Sequence, residues 1–158
     1  MPNDTELTRR TVLCGALWLP LIGAQAAPKR ERIEVWKSPT CGCCKDWIAY
    51  LEAEGFEIKT HEVSETAKSA QRRNLGMPEQ LGSCHTGVVR GYVLEGHVPA
   101  REIRRLLADR PPALGLAVPG MPIGSPGMDG PAYGGRKDPF NVLLVQRNGT
   151  SAVFHAYV

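Results

Sequence analysis

The sequence feature that most constrains the fold is a group of three cysteines within four residues, at Cys41, Cys43 and Cys44. The group stands where a strand-like pattern gives way to a helix-like pattern, and a fourth cysteine, Cys84, follows later in the chain. Sulfurs held together in this way suit a soft metal ion or a dithiol–disulfide couple. We therefore expect the end of a strand and the start of a helix to meet at these cysteines, which would bind a metal or undergo redox chemistry.

The residues on either side of the cysteines predict a strand–helix–strand unit. Residues 33–36 are β-prone, and residues 56–63 alternate as a second strand. Between them, apolar side chains recur with the spacing of one helix face, at Cys44, Trp47, Ile48 and Leu51. The two strands should pair in parallel through a right-handed crossover. Cys44 should then point inward, while Cys41, before the helix, should be more open.

The rest of the chain predicts an α/β, thioredoxin-like mixed sheet flanked by helices. A polar helix should run from Ser64 to about Gly76, and a hairpin should cross Arg90-Gly91. Pro99 should be the first residue of another helix. Residues 111–139 hold seven prolines and seven glycines and predict a long loop. The Asn148-Gly149 pair predicts a final β-hairpin, added at a sheet edge.

The first 26 residues predict an export signal. Arg9-Arg10 precedes an apolar run from Val12 to Ile22, and Ala24-Gln25-Ala26 is a small-residue cleavage pattern. The run is 11 residues long, whereas a membrane-spanning helix needs about 20. The paired arginines resemble a twin-arginine signal, although Val12 leaves Sec export open. We therefore expect residues 1–26 to be removed, together with Cys14, and residues 27–158 to form one periplasmic domain.

Composition excludes some classes of partner. The net charge is +3, and no basic stripe with interleaved aromatics is present, so nucleic acid is not an expected partner. No membrane association is expected once the signal is removed. The four cysteines of the mature chain could form two disulfides, but structural cysteines are usually spread along a chain rather than packed into four residues.

Four blocks of the sequence resemble the CopG-type copper-resistance family. The blocks are residues 36–44, 83–86, 91–100 and 118–128, which carry the cysteines, Ser83-Cys84-His85-Thr86 and the glycine-proline loop. The resemblance implies a periplasmic thioredoxin-like protein that binds copper through its cysteines and takes part in copper tolerance. Copper ions and other periplasmic copper-handling proteins are the partners it implies.

The donor set narrows the choice of metal without fixing it. Thiolates at Cys41, Cys43, Cys44 and Cys84 select copper(I) or zinc. Three or four of these cysteines, with or without His85, would also satisfy a tetrahedral zinc site. The resemblance favours Cu(I), and so does the thioether pair in the glycine-proline loop, Met121 and Met128. These methionines could instead pack the loop onto the core. His97 is expected to cap or pack before Val98-Pro99 rather than to bind metal.

The adjacent pair Cys43-Cys44 affects the expected number of metal ions bound per chain. The sulfurs of Cys43 and Cys44 cannot easily converge on one ion together with Cys41 and Cys84, whereas thiolates can bridge two copper(I) ions. The spacing therefore predicts a multinuclear site. Oxidation of Cys41 and Cys44 to a disulfide would remove ligands and discharge the metal.

An enzymatic alternative remains open, a periplasmic thiol–disulfide oxidoreductase with Cys41 and Cys44 as its catalytic pair. The extra thiols of Cys43 and Cys84 count against it. So does the lack of a proline within residues 83–86, where oxidoreductases of the thioredoxin-like class carry a cis-proline that docks substrate.

Overall fold

A computed structural model of the protein describes residues 30–158, so the predicted signal at residues 1–26 lies outside the described residues. The helices are α1 Gly42–Ala53, α2 Glu65–Asn74 and α3 Ala100–Asp109, and the strands are β1 Arg32–Lys37, β2 Glu57–Glu62, β3 His85–Val89, β4 Tyr92–Glu95, β5 Gly115–Ala117, β6 Phe140–Val145 and β7 Ser151–Tyr157. Short 3-10 turns occupy Glu79–Leu81 and Pro131–Tyr133. The strands form one sheet in the order β2-β1-β3-β4-β5-β6-β7.

The predicted strand–helix–strand unit is confirmed. Strands β1 and β2 pair in parallel, with Ile33 opposite Ile58. Helix α1 buries Cys44, Trp47 and Leu51, because these side chains share the helix face that covers the sheet. The chain turns out of α1 at Gly55, whose φ of 90° suits a residue without a side chain.

The hairpin of β3 and β4 brings the two cysteine segments together. Strand β3 runs antiparallel to β1, with His85 opposite Lys37. The end of β1, which leads into the cysteine turn, therefore lies beside the start of β3, which Cys84 immediately precedes. Sheet register thus accounts for the meeting of residues about 40 positions apart.

The glycine- and proline-rich segment contains an element that its composition concealed. Strand β5, of three residues, pairs in parallel with β4 and antiparallel with β6. The long loop therefore begins at Val118 rather than at residue 111. Through β5 the final hairpin joins the sheet, and β7 forms the edge, as predicted. Pro99 lies just before α3 and serves as its N-cap residue instead of its first helical residue.

The α/β class is confirmed, with a mixed sheet, flanking helices, a long loop and a C-terminal hairpin. That the arrangement is thioredoxin-like stays a prediction. Within residues 30–158, none of the helices has the length and apolar character needed to cross a bilayer.

Candidate metal centre

The cysteine turn is built on the first residues of α1. Cys41 is the N-cap of the helix, and its Sγ accepts the backbone N–H of Cys44 at 3.3 Å. Cys41 and Cys44 are joined by a disulfide. Cys44 is buried and Cys41 is partly exposed, as the helical spacing predicted. The side chain of Cys43, between them, is unbridged and also partly exposed.

Cys84 closes the group from the opposite side. Its Sγ lies 3.8 Å from the Sγ of Cys43, which in turn lies 3.6 Å from the Sγ of Cys41. The four sulfurs lie within 4.8 Å of one another. The structure therefore brings together all four cysteines that the sequence singled out.

Two cations from α2 fix the loop that carries Cys84. Lys68 Nζ donates to the carbonyl oxygen of Cys84 at 2.9 Å, and Arg72 Nη2 donates to the carbonyl oxygen of Ser83 at 2.9 Å. Both side chains are largely buried. The buried carboxylate of Glu95 accepts the backbone N–H of Ser83 at 2.6 Å and lies 2.9 Å from Arg72 Nε. The charge of Lys68 lowers the pKa of the Cys84 thiol, but this effect is smaller than that of burial, which raises the pKa.

Two histidines contact the Cys84 sulfur. His85 Nδ1, from the predicted set, lies 3.2 Å from Cys84 Sγ. His97 Nε2 lies 3.1 Å from the same sulfur, although sequence reasoning assigned His97 to capping or packing. The register of the predicted hairpin nevertheless indicated where His97 lies. Because Val88 pairs with Val93 and Thr86 with Glu95, continuing that register places His97 opposite Cys84.

Burial sets the protonation of these groups. It lowers the pKa of His85 well below its usual value, and the neighbouring His97 lowers it further. Burial likewise lowers the pKa of His97. The pKa of the Cys84 thiol is raised to about 12, chiefly by burial and then by the nearby Cys43. The metal-free site therefore holds a protonated Cys84 thiol next to neutral imidazoles.

The two candidate methionines differ in position. Met121 is half-exposed, and its Sδ lies 3.9 Å from Cys43 Sγ. Met128 is buried, and its Sδ accepts the hydroxyl of Tyr133 at 3.2 Å. The structure therefore brings Met121 to the cysteines, whereas Met128 is in contact with Tyr133 of the same loop.

The glycine-proline loop lies directly against the cysteine turn. A Cβ on Gly127 would stand 2.6 Å from the backbone nitrogen of Trp47 and 2.8 Å from the carbonyl oxygen of Cys43. Only glycine permits this approach. The neighbouring Pro126 carbonyl accepts His97 Nδ1–H at 2.8 Å, and Ser83 Oγ donates to the carbonyl of Gly120. The loop therefore covers the site and is hydrogen-bonded on one side to His97 and on the other side to Ser83.

A cavity of about 520 Å³ opens beside the cluster. Its lining includes Cys41, Cys84 and Met121, together with Lys68 and Arg72. Solvent and small ions can therefore reach the sulfurs along α2. No cis peptide bond occurs within residues 30–158, so the loop before β3 has no cis-proline of the kind that docks extended substrates in the oxidoreductases.

These features define an α/β protein in which four cysteine sulfurs and two histidines are arranged so that they could hold a metal ion. Thiolate, thioether and imidazole donors suit soft ions such as copper(I). The same thiolate and imidazole donors also suit zinc, so the donor set alone does not distinguish the two metals.

Comparison with known proteins is more specific. Two solved structures, each titled "Copper resistance protein copG" and described as Form 2 and Form 1, are 45% identical to this chain with a TM-score of 0.74. Each alignment covers 82% of this chain, and 100% and 98% respectively of the other. Residues 81–128 match a family model described as "Protein of unknown function, DUF411". No match to a curated protein was found. The chain belongs to the CopG family of copper resistance proteins, as its sequence blocks indicated.

Proposed function

We propose that this protein is a periplasmic copper-binding protein of copper tolerance, and that it holds Cu(I) in a shared cluster of cysteine thiolates. The observation that carries the proposal is the convergence of four cysteine sulfurs within 4.8 Å of one another. Sulfur donors prefer copper(I) to harder ions, and the relatives of known structure are named copper resistance proteins. The predicted signal at residues 1–26 supports a periplasmic location.

The adjacency of Cys43 and Cys44 in the sequence supports more than one ion in the reduced protein. The cluster forms after the Cys41–Cys44 disulfide is reduced. A dithiol reductant supplies the two electrons and two protons, and the reduction frees two more sulfur ligands. Cys43 and Cys44 are neighbours on one turn, so a single ion cannot readily reach both together with Cys41 and Cys84. Bridging thiolates remove this conflict. Lys68 and Arg72 would then offset the negative charge of the cluster.

Copper titration of the reduced protein tests this proposal. We expect more than one Cu(I) per chain, held against a chromophoric Cu(I) chelator, and a lower stoichiometry or affinity for Cys84→Ser. Serine keeps the size of the residue but removes the soft ligand, so the fold should survive. Ser69→Ala is the matched control, because it changes the lining of the cavity beside the cluster and leaves all four sulfurs in place. A single tightly bound ion that Cys84→Ser does not affect would refute the cluster.

The Cys41–Cys44 disulfide favours a second candidate function, that of a periplasmic thiol–disulfide oxidoreductase. In that reaction a substrate dithiol would be oxidised while the Cys41–Cys44 disulfide is reduced, or the reverse. Catalysed reduction of insulin, compared with copper(I) competition on the same sample, separates the two functions. Insulin reduction that depends on Cys41 and Cys44, without tight copper binding, would favour the enzyme.

A further inference from the structure

The carboxylate of Glu95 is a buried charged group whose two oxygens bind on either side of Cys84. Glu95 is fully buried, and its Oε1 accepts the backbone N–H of Ser83 at 2.6 Å. Its Oε2 accepts the hydroxyl of Thr86, also at 2.6 Å. A buried carboxylate is unfavourable unless it is paired or hydrogen-bonded, and here both oxygens are used. One side chain therefore holds the residue before Cys84 and the second residue after it.

The backbone of Glu95 is held in place independently of that side chain. Glu95 pairs with Thr86 in the β3–β4 hairpin, and its carbonyl oxygen accepts the N–H of Val118 at 2.9 Å. The next residue, Gly96, has a φ of 72°, and a Cβ there would overlap the carbonyl oxygen of Val118 and lie 2.7 Å from the side chain of Ser83. Glu95 is thus a fixed anchor for the segment before β3.

Arg72 holds the same residue from the other side. Its Nε lies 2.9 Å from Glu95 Oε1, and its Nη2 donates to the carbonyl oxygen of Ser83 at 2.9 Å. The two members of one buried ion pair therefore bind the N–H and the C=O of a single residue. Attraction within a buried ion pair offsets its desolvation only when further hydrogen bonds satisfy both groups. In this protein those bonds go to the segment that carries Cys84.

We propose that Glu95 is a positioning residue for Cys84, and that with Arg72 it holds the start of β3 so that the Cys84 sulfur stays 3.8 Å from that of Cys43. The proposal rests on the proposed function only in taking Cys84 as a copper ligand. Residues that orient a metal ligand commonly change metal affinity by about 10–100-fold. Loss of the Glu95 contacts should therefore release Cys84 and weaken copper(I) binding.

A matched pair of variants separates this role from a general effect on stability. Thr86→Val keeps the shape of a buried side chain and removes one 2.6 Å hydrogen bond to the buried carboxylate of Glu95. Tyr157→Phe is the control, because it removes a hydrogen bond of the same length to another buried carboxylate, that of Glu102. Glu95→Leu is the stronger variant, which removes both acceptor oxygens.

Alkylation of the metal-free protein gives a measurement with an internal reference. With the Cys41–Cys44 disulfide confirmed by peptide mapping, Cys43 and Cys84 are the free thiols of residues 30–158. We would follow their reaction with iodoacetamide by mass spectrometry, well below the unfolding temperature. Thr86→Val should raise the rate at Cys84 relative to Cys43 by about tenfold, and Tyr157→Phe should leave the ratio unchanged. A ratio that Thr86→Val does not change, or that both variants change equally, would overturn the inference.

Hydrogen exchange on the unaltered protein covers the case in which the variants fail to fold. The Ser83 amide should exchange as slowly as the amides within β3, although Ser83 precedes the strand; rapid exchange there would overturn the inference. In the reduced protein, Glu95→Leu should lower copper(I) affinity about 10–100-fold, which Tyr157→Phe should not. If the unaltered protein binds no copper(I), the proposed function fails, and the alkylation ratio and the Ser83 exchange rate still decide the role of Glu95.

Discussion

Substitution of Gly127 tests how the glycine-proline loop is held against the cysteine turn. Gly127 has a φ of 84°, and a Cβ there would approach the backbone of α1 at 2.6, 2.8 and 3.0 Å. The left-handed conformation costs an alanine about 1–2 kcal/mol. Overlap with backbone that cannot rotate away adds about 1–3 kcal/mol. Gly127→Ala should therefore lower the free energy of unfolding by about 2–5 kcal/mol, a large fraction of the roughly 5–15 kcal/mol of a typical domain.

Two other glycines of the same loop separate these contributions. Gly120 has a φ of 69° but open space around its Cβ position, so Gly120→Ala should show only the conformational cost of about 1–2 kcal/mol. Gly130 has neither constraint, and Gly130→Ala should stay within about 0.5 kcal/mol of the unaltered protein. Urea unfolding monitored by circular dichroism gives all three values.

The loop also bears on the metal site. If it lifts to relieve the Gly127→Ala overlap, the Pro126 carbonyl moves away from His97, and copper affinity should fall together with stability. Equal stability losses for Gly127→Ala and Gly120→Ala would refute the close packing described here.

Two further predictions concern the last strand and the first residues. Tyr157 donates to the buried Glu102 carboxylate at 2.6 Å, so Tyr157→Phe should cost about 1–3 kcal/mol in urea unfolding. Burial raises the pKa of Tyr157 above its usual value, so the folded state favours the protonated phenol and the free energy of unfolding should decline above about pH 10. Tyr157→Phe should reduce that decline. An identical pH profile for the variant would contradict this reasoning. For export, replacing Arg9 and Arg10 by lysine should prevent the protein from reaching the periplasm if the route is twin-arginine, and should leave export intact if the route is Sec. N-terminal sequencing of the exported chain should begin at Ala27, and recovery of Met1 on periplasmic protein would contradict cleavage.

The sequence was sufficient to predict elements whose side chains repeat with a clear period. The β1–α1–β2 unit has apolar positions at helix and strand spacing, and the β3–β4 hairpin has a two-residue turn. Strand β5 was missed because three residues between prolines are too short to show a period. Its place in the sheet depends on pairing with β4 and β6, which are distant in sequence.

The site was predicted only in part, because some of its residues have a clear local pattern in the sequence and others do not. Three of its cysteines lie within four residues of the sequence, and Cys84 stood out by residue type. His97 was missed because a lone histidine has no local signal; only the hairpin register places it opposite Cys84. Met121 and Met128 could not be separated by sequence, because their difference lies in how the loop folds back onto α1.

The two halves of the glycine-proline loop should differ in their tolerance of changes in length. Residues 118–128 run between β5 and the wall of the metal site, and the matched family model ends at residue 128. Residues 129–139 continue to β6 with their side chains mostly exposed. Since the entropy of closing a loop grows only slowly with its length, insertions in this outer half should cost little. One residue added between Val118 and Gly127 would instead shift the Pro126 carbonyl relative to His97, so the length of the inner half is tied to the geometry of the site.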